Sequence, residues 1–167
     1  MIEPVKIPEQ RKGVLIGKDG STKKEIEART RTKITVNDGI EIDGEPLDVL
    51  KAKEIIKAVG RGFAPEKAMK LISDDYRLVV ISLGAETEKR MKRIFSRIIG
   101  KKGKSRKTIE HLTKTDICIY GKTISIIGNW NKAEKANEAI ELLIKGKTHA
   151  YVYRCLESDM KASEEGE

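Results

Sequence analysis

Apolar and polar positions fall along this chain in an order of spacings that runs through twice. Val5-Lys6-Ile7 alternates and stops at Pro8, which predicts a short first strand. Residues 11–16 predict a brief helical turn with Val14, Leu15 and Ile16 as its apolar contacts. Ser21 or Thr22 then caps a predicted helix to about Arg29, with Ile26 inward. Residues 33–36 alternate as a strand, Asn37-Asp38-Gly39 is a turn, and Ile40-Glu41-Ile42 is the returning partner. Pro46 opens a longer helix, with Leu47, Leu50, Ile55, Ile56 and Val59 on one face and Gly60 or Gly62 at its end.

Phe63-Ala64-Pro65 and a short helix through Met69, Leu71 and Ile72 form an apolar connector, expected to dock on its neighbours. Asp74-Asp75 reads as a helix end and a turn, because no third carboxylate is nearby in sequence to make a metal site. The order of elements then returns. Residues 78–83 are a continuous apolar run, which predicts a more buried strand. Residues 88–99 are a helix with Met91, Ile94, Phe95 and Ile98 on its inner stripe. A helix through Ile109 and Leu112 follows, then strands 116–120 and 122–127 paired across Gly121. Asn131-Lys132-Ala133-Glu134 has the form of a capping box for a helix carrying Ala136, Ile140 and Leu143 inward, with Trp130 just before it as a packing residue. Residues 148 to about 160 predict one more helix, and beyond it the acidic tail is expected to fray.

The recurrence holds residue by residue. Laying residues 17–36 on residues 100–119, an offset of 83 (100 minus 17), needs no gap and gives nine identities. They include Gly17/Gly100, Lys18/Lys101, Gly20/Gly103, Glu27/Glu110, Thr30/Thr113 and Thr32/Thr115. A period this long suits two copies of a small domain rather than a solenoid. The expected division is a first module over residues 1–63, a connecting helix over 64–75, and a second module with a further helix over 76–167.

Each copy is centred on Gly-x-x-Gly between two helices: Gly17-Lys18-Asp19-Gly20 and Gly100-Lys101-Lys102-Gly103. Glycine lets the backbone turn sharply and a ligand come close. Free amides at the start of the next helix attract an anion, and lysines on the turn suit a phosphate backbone. Composition points the same way: 34 Lys and Arg against 26 Asp and Glu give +8 and a pI near 9.4. Ten basic residues and no acidic one lie between Lys89 and Lys107.

Other chemistries fit poorly. Gly103-Lys104-Ser105 mimics the end of a P-loop, but the required first glycine falls on Ile98, within a predicted helix. His111 and His149 have no Cys, Ser or carboxylate constellation, and His111 matches Ala28 in the other copy, so it is expected on an exposed helix face. Cys118 and Cys155 lack metal-type spacing and are expected on a strand and a helix in a reducing compartment. With two Phe, one Trp and four Tyr the chain lacks an aromatic platform for stacking bases. No metal or cofactor is expected. No signal peptide or transmembrane segment is evident, so a cytoplasmic protein is expected.

Ile16-Gly17-Lys18-Asp19-Gly20 and Ile99-Gly100-Lys101-Lys102-Gly103, each between two helices and followed by a hairpin and a closing helix, resemble the KH-domain family twice over. The resemblance implies an α/β fold of two tandem eukaryotic-type (type I) KH domains, β-α-α-β-β-α, with a connecting helix and a C-terminal helix. It implies that each loop clamps about four single-stranded nucleotides against an aliphatic groove. Lys18, Lys101 and Lys102 would grip phosphates beside Asp19, aliphatic side chains around Ile16 and Ile99 would receive bases, and Arg97, Lys104, Arg106 and Lys107 would add attraction.

Taken whole, with the Gly60-Arg61-Gly62-Phe63 and Gly146-Lys147-Thr148-His149 segments, the chain is most similar to archaeal relatives of the partner-of-Nob family of small-subunit ribosome-assembly proteins. That resemblance implies a non-enzymatic protein that holds single-stranded small-subunit rRNA near its 3′ end, with a Nob-type endonuclease or other assembly factors as partners. A KH regulator of messenger RNA and a protein-docking scaffold are the alternative readings. Eukaryotic relatives lack the glycine signature in their first module, whereas this chain keeps it in both, so the resemblance does not divide the work between them.

Overall fold

Ile40 and Ile42 alternate with Glu41 and Asp43, and that alternation puts β3 (Ile40–Asp43) at the centre of an antiparallel sheet in the computed structural model, which describes residues 1–166. Its neighbours are β1 (Ile2–Val5) and β2 (Lys33–Val36), in the order β1-β3-β2, with Val5 and Val36 both opposite Ile40. The intervening helices are α1 (Lys12–Ile16), α2 (Ser21–Thr30) and α3 (Pro46–Gly60). Leu15, Ile26, Ile34, Ile40, Ile42 and Ile55 are fully buried in this unit. A short helix, α4 (Pro65–Ala68), and a 3₁₀ turn (Met69–Ile72) pack back on α3.

The second sheet has the equivalent order β4-β6-β5, from β4 (Tyr76–Ser82), β6 (Thr123–Asn129) and β5 (Asp116–Tyr120). Its helices are α5 (Glu88–Ile99), α6 (Lys104–Thr113) and α7 (Trp130–Ile144), and α8 (His149–Glu165) is added against α6 and α7. Ile94, Ile98, Ile109, Ile117, Ile126 and Ile140 form the core, and α8 contributes Val152 and Leu156 to it. Chain contacts divide the protein into units of residues 1–78 and 79–167, a boundary inside β4. Glu167, the last residue of the acidic tail, lies outside the described residues. Both units have the β-α-α-β-β-α order that the sequence predicts.

Several expectations are corrected. The first strand is Ile2–Val5, not 5–7, because Val5 pairs with Ile40 while Ile7 packs on the end of α3. A Cβ on Gly60 would sit 2.6 Å from the Ile7 side chain, so glycine there is a packing requirement. Leu47 is 76% exposed and Leu50 is exposed too, since the buried stripe of α3 runs through Val49, Ala52, Ile56 and Val59 instead. The apolar run in β4 marks an edge strand with Val80 exposed, whereas the central strand β6 is buried from Thr123 to Gly128. A central strand is flanked on both edges, which run composition does not reveal.

Helix starts also differ from expectation. Neither Ser21 nor Thr22 caps α2; the cap position is Gly20, in the left-handed region, with no side-chain acceptor. Helix α7 starts at Trp130, two residues earlier than the capping box implies, with the Asn129 side chain accepting from the Asn131 amide. Trp130 is consequently 53% exposed rather than packed. Helix α8 runs on to Glu165 instead of fraying near Met160. Lys114–Glu164 and Lys135–Asp159, both near 4 Å, link its acidic side to α6 and α7.

Candidate nucleic-acid interface

The two glycine loops adopt one conformation. Gly17 lies at φ 73°, ψ 179° and Gly100 at φ 72°, ψ −179°. The third residues, Asp19 and Lys102, both lie at φ 55°, and Gly20 and Gly103 at φ 75° and 73°. The two glycines of each loop are required for different reasons. A Cβ on Gly17 would lie 2.3 Å from Thr22 Oγ1, and one on Gly100 would lie 2.6 Å from Ser105 Cβ. All four glycines have positive φ; the first of each loop is forced in addition by the close passage of the next helix, while Gly20 and Gly103 have room and are set by φ alone. Asp and Asn visit the left-handed region more readily than lysine, so Lys102 is the costlier occupant of the third position.

Below each loop the remaining repeat identities build a support. Glu27 Oε2 accepts from the Ile34 amide at 2.9 Å and Glu27 Oε1 pairs with Lys23 at 3.1 Å. Glu110 Oε2 accepts from the Ile117 amide at 3.0 Å and Glu110 Oε1 pairs with Arg106 at 3.0 Å. Thr30 donates to Ile26 O at 2.6 Å and accepts from the Thr32 hydroxyl; Thr113 and Thr115 repeat this at Ile109 O. These residues fix the second helix of each module to the strand that follows it. Their identity between copies reflects structure rather than ligand contact.

The candidate residues consequently separate into groups. Lys18, Asp19, Lys101 and Lys102 are exposed on the loops, and Ile16 and Ile99 are half-buried just before them. Lys104 and Lys107 are exposed on α6 and, with Lys102, line an open cleft facing α8, together with His111 and Tyr153. Arg106 lies on the β5 side of α6, where Glu110 and Ile117 O engage it. Arg97 points into the protein and donates to Leu143 O at 3.3 Å and Lys147 O at 2.5 Å. Both arginines thus serve the scaffold, and the exposed cations are the lysines.

Sequence reasoning assigns no structural role to three contributors. Arg11 donates to Val59 O and Phe63 O, at 2.8 and 2.9 Å. Lys12 reaches from α1 to Asn37 O and Asp38 O, at 3.4 and 2.8 Å, tying α1 to the hairpin turn; Phe95 stands at that place in the second copy. His149 Nε2 meets Arg97 O at 2.8 Å, so that nitrogen carries its proton there. Only its place after Gly146-Lys147-Thr148 could have drawn attention to it. His111 is exposed, and Cys118 and Cys155 are on β5 and α8. Among the described residues no helix is long and apolar enough to cross a membrane.

Comparison with known proteins agrees with this geometry. The model of the eukaryotic type KH-domain (KH-domain type I) matches residues 78–161, and the KH domain model matches residues 2–58. The chain is 42% identical to the KH domain-containing protein MJ0443 of Methanocaldococcus jannaschii over 167 aligned residues, 95% of this chain and 74% of that one. It is 31% identical to the RNA-binding protein pno1 of Ixodes scapularis, over 65% of this chain and 48% of that one. In the crystal structure of the a/eIF2alpha-aDim2p-rRNA complex from Pyrococcus horikoshii OT3, the matched chain is 44% identical with a TM-score of 0.89, covering 97% of this chain and 95% of that one. With paired Gly-x-x-Gly loops on matching scaffolds and relatives of this kind, the chain belongs to the KH-domain family, as a tandem-KH protein of the Dim2/PNO1 group.

Proposed function

We propose that this protein is a non-enzymatic RNA-binding factor of small ribosomal subunit assembly that holds single-stranded rRNA near the 3′ end of the small-subunit RNA. The observation that carries the reading is the pair of superimposable loops, each offering glycine-lined backbone and exposed lysine beside a half-buried isoleucine. Phosphates meet Lys18 in the first loop and Lys101 and Lys102 in the second, and the flanking aliphatic surface takes the bases. Phosphate contacts position the strand and base edges specify it. The working division is a first module over residues 1–63, a connecting segment over 64–75 and a second module over 76–167.

The rRNA in the Pyrococcus complex and the name of the Ixodes relative support this assignment. A Nob-type endonuclease or another small-subunit assembly factor is the proposed protein partner, and the cytoplasm the proposed location. Crosslinking in cells followed by sequencing of the bound RNA tests it. Enrichment of small-subunit rRNA near its 3′ end is expected. Enrichment of messenger RNA would overturn the ribosomal assignment, and no RNA at all would make the protein a docking scaffold.

A further inference from the structure

Helix α8 follows α7 where the first unit has only the short α4 and its 3₁₀ turn, and its greater length makes a cleft along α6. His149, at its start, contacts Arg97 O, and Lys114–Glu164 ties its far end to the end of α6, so α8 runs alongside α6 in the same direction. The N-termini of both helices therefore meet beside the second glycine loop. Tyr153 stands between two open hollows of the cleft, about 260 Å³ at the loop end and about 460 Å³ beyond it.

Both hollows are basic, with two lysines at the loop end and Lys102, Lys104 and Lys107 against one glutamate beyond it. Lys101, Lys104 and His149 line the one at the loop, with Thr108 and Ser105. Glu157 enters the wall only of the farther one, opposite Lys107 and His111. Ser105 is 4% exposed, and its hydroxyl has no hydrogen-bond partner among the described residues. A polar group in that position costs free energy unless something accepts from it or donates to it. Two helix N-termini, two lysines and an unpaired hydroxyl make the loop end an anion site. The Tyr153 ring beside it, half-buried against the core, is a rigid surface for a base.

We propose that this α6–α8 cleft is a second RNA-binding surface: it takes the phosphate next to those held by the Gly100–Gly103 loop and stacks an unpaired base on Tyr153. The inference rests on the RNA-binding reading above and lengthens the strand that the second module holds. It places Lys104 and Lys107 on the opposite side of α6 from Arg106 and β5, where they follow the strand past the loop.

The test uses the full chain carrying Lys18→Asp, which turns the first loop into Gly-Asp-Asp-Gly and leaves binding to the second module. Fluorescently labelled single-stranded RNA of randomised sequence is titrated at about four and about ten nucleotides, the shorter length matching one loop. The longer strand is expected to bind at least about fivefold more tightly, and Tyr153→Leu to abolish that gain without changing the short strand, as loss of one base stack requires. Tyr153→Phe should retain the gain. In the unsubstituted chain, the Tyr153 ring resonances should shift with the long strand and not with the short one, a readout independent of how well the leucine variant folds. A gain that survives Tyr153→Leu, or no gain from length, overturns the cleft as a site while short-strand binding upholds the loop. Failure of both strands to bind overturns the RNA-binding reading and the cleft together.

Discussion

Arg11 and Arg97 hold equivalent carbonyls from positions that are not equivalent. Arg11 donates to Val59 O and Phe63 O, and Arg97 to Leu143 O and Lys147 O. The acceptors are 84 positions apart in each case (143 minus 59, 147 minus 63), whereas the arginines are 86 apart (97 minus 11). Both guanidiniums cap the end of the closing helix, α3 or α7, whose last carbonyls have no partner within the helix. The requirement is shared by the two modules, and against the loops' own offset of 83 (100 minus 17) the residue that meets it has moved three positions (86 minus 83), nearly one helical turn.

Replacing Arg97 by lysine is expected to loosen this end of the second module, since one ammonium cannot reproduce the forked donation. The loss is about 1.5–3 kcal/mol, the range for hydrogen bonds to a charged group. Denaturant unfolding measures it, and amide exchange should quicken at residues 147–152 before the rest of the unit. An Arg97→Lys chain that keeps its stability and loses RNA affinity would make Arg97 a ligand residue instead.

The glycines of one loop should differ in tolerance. Gly100→Ala would bring a Cβ to 2.9 Å from the Ser105 amide nitrogen, whereas Gly103→Ala meets nothing closer than the flexible Lys107 at 4.0 Å. Gly103→Ala is expected to cost about 1–2 kcal/mol from its left-handed backbone. Gly100→Ala should cost clearly more, because backbone must also move. Thermal melts of the two variants decide it, and equal melting points would refute the close-packing argument.

Glu110→Gln should separate two functions of one side chain. The amide oxygen can still accept from the Ile117 N–H, while the charge that holds Arg106 is gone. Glu110→Ala loses both, leaving Arg106 with Ile117 O but no counter-charge and the Ile117 amide unpaired, at about 1–3 kcal/mol. Glu27→Ala should act alike in the first unit, through Ile34 and Lys23. Calorimetry of the three variants gives the ranking: alanine worse than glutamine at 110, and similar losses for the two alanines.

Affinity is expected to reside mainly in the second module. Its loop carries two lysines where the first has Lys18 and Asp19, and an aspartate repels a phosphate. Lys12 in the first unit is also engaged by Asn37 O and Asp38 O of the hairpin turn. Lys101→Asp with Lys102→Asp should therefore reduce binding to a single-stranded RNA far more than Lys18→Asp. The salt dependence should weaken in parallel, by a slope of about 0.7 for each phosphate that is no longer neutralised. Equal losses from the two loops would count against the asymmetry.

The duplicated order of elements, the two glycine loops and the basic stretch were legible in the residues because each depends on local spacing. A period of two or of 3.6 marks a strand or a helix wherever it lies, and the loop glycines answer to their own φ and to Thr22 or Ser105 five residues on, which are local too. What tertiary structure decided were questions of proximity. Whether Leu47 or Val49 faces the core, and whether β4 or β6 occupies the centre of its sheet, depends on which elements lie alongside. Arg97 and Arg106 look like Lys101 and Lys107 in a basic run. Only folding brings Leu143 O and Lys147 O to one, and Glu110 and Ile117 O to the other, so that they brace the scaffold while the lysines stay in solvent. Tyr153 lies 50 residues beyond the second loop (153 minus 103), and nothing in its local sequence marks it. It reaches that loop because Val152 and Leu156 bury the other side of α8 in the core.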